Sequence, residues 1–230
     1  MNRERLTPRA VIRELMGSTM LAGIAIGDEE GLERDGVGEA EVRETLAAMA
    51  SRAAAFSFGE LLLTRMPHGE TLGLARLSDS ALVGLSRSGG FPSYAFERAV
   101  YEMTKDVPRS DIEMAHPARA HVEPALGETA AAVGARWIGA YTEEGLAVSA
   151  IDAAIPTTEQ LAALGALAEN AAWCERGDAA SVEWRRTDGA CLYVPGSVRW
   201  LVGFDSYGLD DDAVHSTEAF LRRVALEAVA

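Results

Sequence analysis

The residues able to do chemistry in this chain of 230 are few: four histidines, two cysteines and one lysine. His116 and His121 stand five apart around Pro117, with no cysteine near them, while His68 and His215 are isolated. A zinc site needs four ligands at compatible spacing, so solvated histidines are expected and no metal. Cys174 and Cys191 form no CxxC and no disulfide framework; reduced, buried thiols are expected. Lys105 has no glycine loop before it, so a P-loop is excluded, and no other lysine exists to serve a mechanism. Gly84-Leu85-Ser86-Arg87-Ser88 misses the nucleophile-elbow pattern GxSxG at its last residue and reads as a surface turn. Asp210-Asp211-Asp212 lacks the spaced ligands of a calcium loop and suits the start of a helix instead. Arg43 and Arg52 are the arginines whose helical placement would let them reach a partner's phosphates; a solvated or ion-paired role is favoured for both. No catalytic residue and no cofactor are expected.

The elements that must position these side chains can be read from periodicity. Thr7-Pro8 opens a helix over about 8–19, with Val11, Ile12 and Leu15 on one side. Met20–Gly27 and Leu32–Val37 read as a hairpin around Asp28-Glu29-Glu30-Gly31. Residues 39–56 are helical in pattern, since Val42, Leu46, Met49, Ala53 and Phe56 step by 4, 3, 4 and 3. Three strands follow, Glu60–Met66, Thr71–Leu77 and Ala81–Ser86, and then a helix over Ser93–Met103.

The second half repeats this order. Glu29-Glu30-Gly31-Leu32 returns as Glu143-Glu144-Gly145-Leu146, residues 39–56 return as 157–174, and Leu82-Val83-Gly84 returns as Leu201-Val202-Gly203. The chain thus reads as copy one at 1–104, a proline-bearing linker at 105–117 and copy two at 118–230. Residues 118–135 are expected to hold the leading helix of copy two, and the last helix to follow Asp210–Asp212.

In the two central helices a flank of small residues recurs at matched positions: Ala47, Ala50 and Ala54 in copy one, Gly165, Ala168 and Ala172 in copy two. Such rows let helix backbones approach closely, so the two helices are expected to pair about an approximate two-fold axis. The outward side then carries Arg43, Glu44, Ser51 and Arg52 in copy one, and Ala166, Glu169, Asn170 and Trp173 in copy two. These are the candidate partner-binding residues, with Trp173 as a possible anchor.

Composition sets the class of partner. The chain is 48% hydrophobic and 24% charged, with a net charge of −14, and acid exceeds base in both halves. Phosphate backbones and anionic lipid would be repelled, so no nucleic acid is expected. The most apolar early run, Met20–Ile26, is too short to span a membrane, and the N-terminal residues lack the apolar core of a signal peptide. An alanine- and arginine-rich composition with one lysine suggests a GC-rich bacterial source and a cytoplasmic protein.

Helix, two-strand hairpin, helix, three-strand meander, helix, with an acidic glycine turn in the hairpin and an alanine-rich central helix, resembles the roadblock family, first described for dynein light chains. The resemblance covers about 8–103 and 120–228. It implies an α/β (α+β) fold of two tandem α-β-β-α-β-β-β-α domains, paired within one chain as a pseudo-dimer with a continuous, mainly antiparallel sheet. It also implies a non-enzymatic regulator or scaffold for a Ras-like small GTPase or related partner, docking on the paired central helices, with further homodimerisation open. The alternative is a ligand-binding sensory module of PAS-like or GAF-like use, which requires a concave pocket with convergent polar groups.

Overall fold

A computed structural model describes residues 7–66, 68–87, 90–107, 116–142, 145–150, 153–170 and 180–227. The chain divides into two compact units: residues 1–63 with 68–112, and residues 64–67 with 113–230. Both are mixed α/β, built on mostly antiparallel strands.

The first unit opens with α1, Pro8–Ser18. The Thr7 hydroxyl accepts the Ala10 N–H at 3.3 Å and Pro8 takes the first turn, where its missing N–H costs nothing. Val11, Ile12 and Leu15 are its buried face. Strands β1 (Leu21–Asp28) and β2 (Glu33–Val37) form the expected hairpin. Its turn is closed by the Asp28 carboxylate, which accepts the N–H groups of Glu30 and Leu32 at 3.1 and 2.9 Å. Gly31 supplies the positive φ, +81°, that the turn requires. Helix α2 (Ala40–Met49) follows, then β3 (Leu61–Arg65), β4 (Thr71–Arg76), β5 (Ser80–Ser86) and α3 (Ser93–Thr104). The strand order is β2-β1-β5-β4-β3.

Alternation along β1 decides which helix lies on which face. Ile24 and Ile26 point into a core with Val11, Ile12, Leu15, Phe96 and Val100, so α1 and α3 cover that side. Gly23 and Gly27 point the other way, under Val42, Leu46, Ala47 and Ala50 of the α2 segment.

Two expectations for this unit need correction. The helix over 39–56 is regular only to Met49; Ala50–Ala55 tighten into a 3-10 segment. The Arg76 guanidinium closes the far end of this segment, donating to the carbonyls of Ala54 and Phe56 at 3.1 and 3.2 Å and so satisfying groups the last turn leaves open. With three residues per turn instead of 3.6, Ala54 rotates out of the small row and is exposed, while Ala47 and Ala50 stay buried. The second correction concerns Ser86. It ends β5 fully buried, its hydroxyl donating to the Gly90 carbonyl at 3.0 Å, so it is no surface turn.

The second unit contains β6 (Ala120–Val122), α4 (Leu126–Ala132), β7 (Trp137–Thr142), β8 (Gly145–Val148), α5 (Thr158–Ala168), β9 (Ser181–Arg186), β10 (Gly189–Val194), β11 (Arg199–Phe204) and α6 (Asp211–Glu227). Its strand order is β9-β10-β11-β7-β8-β6. Here the leading helix expected over 118–135 is only α4. Pro124 holds Glu123 in extended backbone and cannot donate, so the residues before it form β6, which runs parallel to β8. Thr157 and Gln160 cap α5 reciprocally, the Thr157 hydroxyl taking the Gln160 N–H at 3.1 Å and the Gln160 side chain the Thr157 N–H at 2.8 Å. The Asp210 carboxylate accepts the Ala213 N–H at 2.6 Å at the start of α6.

The repeated Leu-Val-Gly triplets have a packing reason. Gly84 lies beneath the Phe96 ring, and Gly203 beneath the Trp137 indole. A side chain at either glycine would meet the aromatic. The two Glu-Glu-Gly-Leu motifs diverge in outcome. In the first hairpin Leu32 falls in the connection before β2 and is 61% exposed, and a bulge between Ile26 and Gly27 shifts the register beyond it. The second hairpin pairs in regular register, and Leu146 is fully buried.

Candidate partner-binding surface

The outer side of α2 and its 3-10 continuation carries Glu41, Glu44, Ala48 and Arg52, all exposed, with Ser51 half-buried. Arg52 makes no ion pair among the described residues. The Ser51 hydroxyl is turned back onto the Ala48 carbonyl at 3.3 Å. Arg43 is committed within the unit. Its Nε lies 2.9 Å from Glu33 on β2, its Nη1 donates to the Gly38 carbonyl at 3.4 Å, and its stem packs over Gly36. An arginine held this way must break an ion pair before it can reach into a partner.

The same ion pair helps to guard the outer edge of β2. Arg34 pairs with Asp79 at 2.8 Å, and the Asp35 carboxylate takes the Gly36 N–H at 2.9 Å. With the bulge, these charges leave little for an added strand to pair with.

In the second unit, α5 presents Glu169 exposed and Ala166 and Asn170 half-buried. Ala168 is buried and Gly165 half-buried, with the Tyr193 hydroxyl of β10 against Gly165. Burial holds the Tyr193 phenol above its ordinary pKa; Arg199 opposes this and Glu169 adds to it. Trp173 and Ala172 lie outside the described residues, as does Cys174.

The four histidines are exposed, and no cluster of three potential metal ligands occurs among the described residues. No helix among the described residues is long and apolar enough to cross a membrane. A cleft lined by Arg136, Trp137, Arg186, Asp188 and Cys191 has room for about one water molecule. Both of its arginines carry a carboxylate partner: Arg136 meets Asp205 at 3.5 Å and Arg186 meets Asp188 at 2.9 Å.

Cys191 at the floor of that cleft is buried, and desolvation pushes its thiol up to about 12. In a Cys174→Ser variant, Cys191 should therefore resist a disulfide reagent at pH 8 until denaturant is added. Labelling of the native protein within seconds would show the cleft to be open.

Sequence reasoning missed a cluster of charges. Glu183, in the middle of β9, is wholly buried, and its Oε1 accepts both Arg185 Nε at 2.8 Å and the Leu209 N–H at 2.9 Å. Its Oε2 lies 2.6 Å from Arg65 Nη1, and Arg65 Nε reaches Asp211 at 2.9 Å. The run Ser-Val-Glu-Trp-Arg-Arg was the available signal: an acid inside an apolar strand, two residues before an arginine on the same face.

The fold is roadblock-like, since each unit runs helix, hairpin, helix, three-strand meander, helix, with β6 added before the second. No family model and no curated protein matches the chain. Among solved structures, Myxococcus xanthus MglB is similar at 20% identity and a TM-score of 0.36, over 46% of this chain and 91% of that one. A roadblock/LC7 domain from Streptomyces avermitilis is similar at 15% identity and a TM-score of 0.32, over 42% of this chain and 88% of that one.

Proposed function

We propose that this chain is a non-enzymatic, cytoplasmic regulatory or scaffold protein that binds a Ras-like small GTPase. In this reading the outer sides of α2 and α5 form the docking face. The observation that carries it is the roadblock element order, present twice. The exposed row Glu44, Ala48 and Arg52 supports it, being a shallow surface of the kind a protein partner covers. Arg43 has a bracing role here, tying α2 to β2 through Glu33. Arg43 is therefore committed to its own unit and is not the arginine to be supplied in trans.

The test is capture from a bacterial lysate, once with excess GDP and once with a non-hydrolysable GTP analogue, using the wild type and an Ala48→Arg/Arg52→Glu variant. A small GTPase should be retained in one nucleotide state and fall about tenfold with the variant, a loss in keeping with removal of an interface hot spot. Absence of any small GTPase in both states overturns the reading.

A further inference from the structure

On the first unit, α3 covers the sheet face opposite to α2, and its outward line is unlike the rest of this acidic chain. Between residues 93 and 105 the exposed positions are Tyr94, Arg98, Tyr101 and Lys105. Tyr94 is 81% exposed and Tyr101 63%. Their inner neighbours Phe96, Ala99 and Val100 fill the core. Glu97 and Glu102 are half-buried on the two flanks, and Glu102 pairs with Lys105. Arg98 has no ion pair among the described residues.

The spacing of 4, 3 and 4 is that of a helix seam, in which such positions face a second helix across a shallow supercoil. Tyrosine and arginine are the side chains that most often carry binding energy in protein interfaces, because each joins a large contact area to a polar tip. Solvation does not explain two exposed tyrosines seven residues apart on one seam. The corresponding helix of the second unit, α6, exposes Asp212, His215, Ser216, Ala219, Arg222 and Arg223, a polar line that also ends in cations. What sets α3 apart is its pair of exposed tyrosines.

We infer that the Tyr94–Arg98–Tyr101–Lys105 face of α3 is a docking seam for an amphipathic helix of a partner protein that carries carboxylates along its contact line. Charge selects that occupant. A cation stands at alternate seam positions and no acid stands on the line, so a facing Glu or Asp gains an ion pair with Arg98 and can compete with Glu102 for Lys105. Apolar residues of the same helix would cover the tyrosine rings. The attraction is local to the seam, since the chain as a whole is acidic, and such exposed ion pairs weaken with added salt. This seam is independent of the α2 surface.

The experiment uses the full chain and two fluorescent three-heptad helical peptides. One carries leucine and glutamate alternately along its seam; its twin has lysine for glutamate. The glutamate peptide should bind the wild type at least about tenfold more tightly than the twin and weaken with added salt. Tyr94→Ala/Tyr101→Ala should abolish binding while leaving thermal melting unchanged, since both rings are exposed. Arg98→Glu/Lys105→Glu should reverse the preference toward the lysine twin. Equal binding of the two peptides, no binding of either, or binding that survives the tyrosine variant overturns the seam.

Discussion

Glu183→Ala is expected to cost this protein about 3–5 kcal/mol of unfolding free energy, the range for removing one partner of a buried ion pair. The carboxylate is fully buried and is the shared acceptor of Arg185, the Leu209 N–H and Arg65. Truncation leaves two nearly buried guanidinium groups and one backbone donor without their acceptor. Asp211 offers partial relief to Arg65, from which it is 2.9 Å, but its side chain is largely in solvent and screened by it. Arg185 gains nothing from Asp211. Glu183→Gln should cost less, since the amide oxygen still accepts one bond, although its NH2 then faces an arginine. A Glu183→Leu/Arg185→Met/Arg65→Met variant should recover much of the loss, because a packed apolar cluster avoids the desolvation altogether. Urea denaturation of the four proteins measures this. A loss below about 1 kcal/mol for Glu183→Ala would mean that water reaches the carboxylate.

The legibility of the sequence followed how local each signal was. Thr7-Pro8 marks the start of α1 because capping uses neighbouring atoms, and the pair Leu46 and Met49 marks the buried side of α2 because its period is intrinsic. The repeated Leu-Val-Gly marked the same strand in both copies, β5 and β11, although the aromatic above each glycine comes from a different element. What failed depended on distant atoms. The 3-10 segment that begins at Ala50 is closed by Arg76, twenty or more residues from the carbonyls it binds. Leu32 and Leu146 share a motif but not a fate, because one falls in a connection and the other in a paired strand. Nothing in Ala120–Val122 announces a parallel partner in β8. The candidate surface was legible as an outward helix side at Glu44 and Arg52. Arg43 was not, since the pattern of α2 alone cannot reveal the carboxylate of Glu33 beside it.

The small row on α2 leads to the other large effect, at Gly27. Ala47 and Ala50 are small because β1 passes directly beneath them: a Cβ on Gly27 would strike the Ala47 carbonyl and come within 2.7 Å of the Ala50 methyl. Backbone is the obstacle there, so no rotamer relieves it. Gly27→Ala should destabilise by about 1–3 kcal/mol, the usual range for overpacking, and Gly27→Val by more, in spite of valine's strand propensity. Gly17 is the control. It lies in α1 with nothing within 4 Å of an added methyl, so Gly17→Ala should stabilise by up to about 1 kcal/mol through helix propensity alone. Ala50→Leu drives a side chain toward β1 within its own unit and should be destabilising for the same reason. Ala48 is the better probe of the outer surface. It is exposed, so Ala48→Arg should leave the melting temperature within about 1 °C of wild type, as surface substitutions usually do. Thermal melts of Gly27→Ala, Gly17→Ala and Ala48→Arg measured together decide the matter. A Gly27→Ala protein as stable as wild type would show that α2 does not lie on β1 at this closeness. The small residues of that row would then be available for a partner helix.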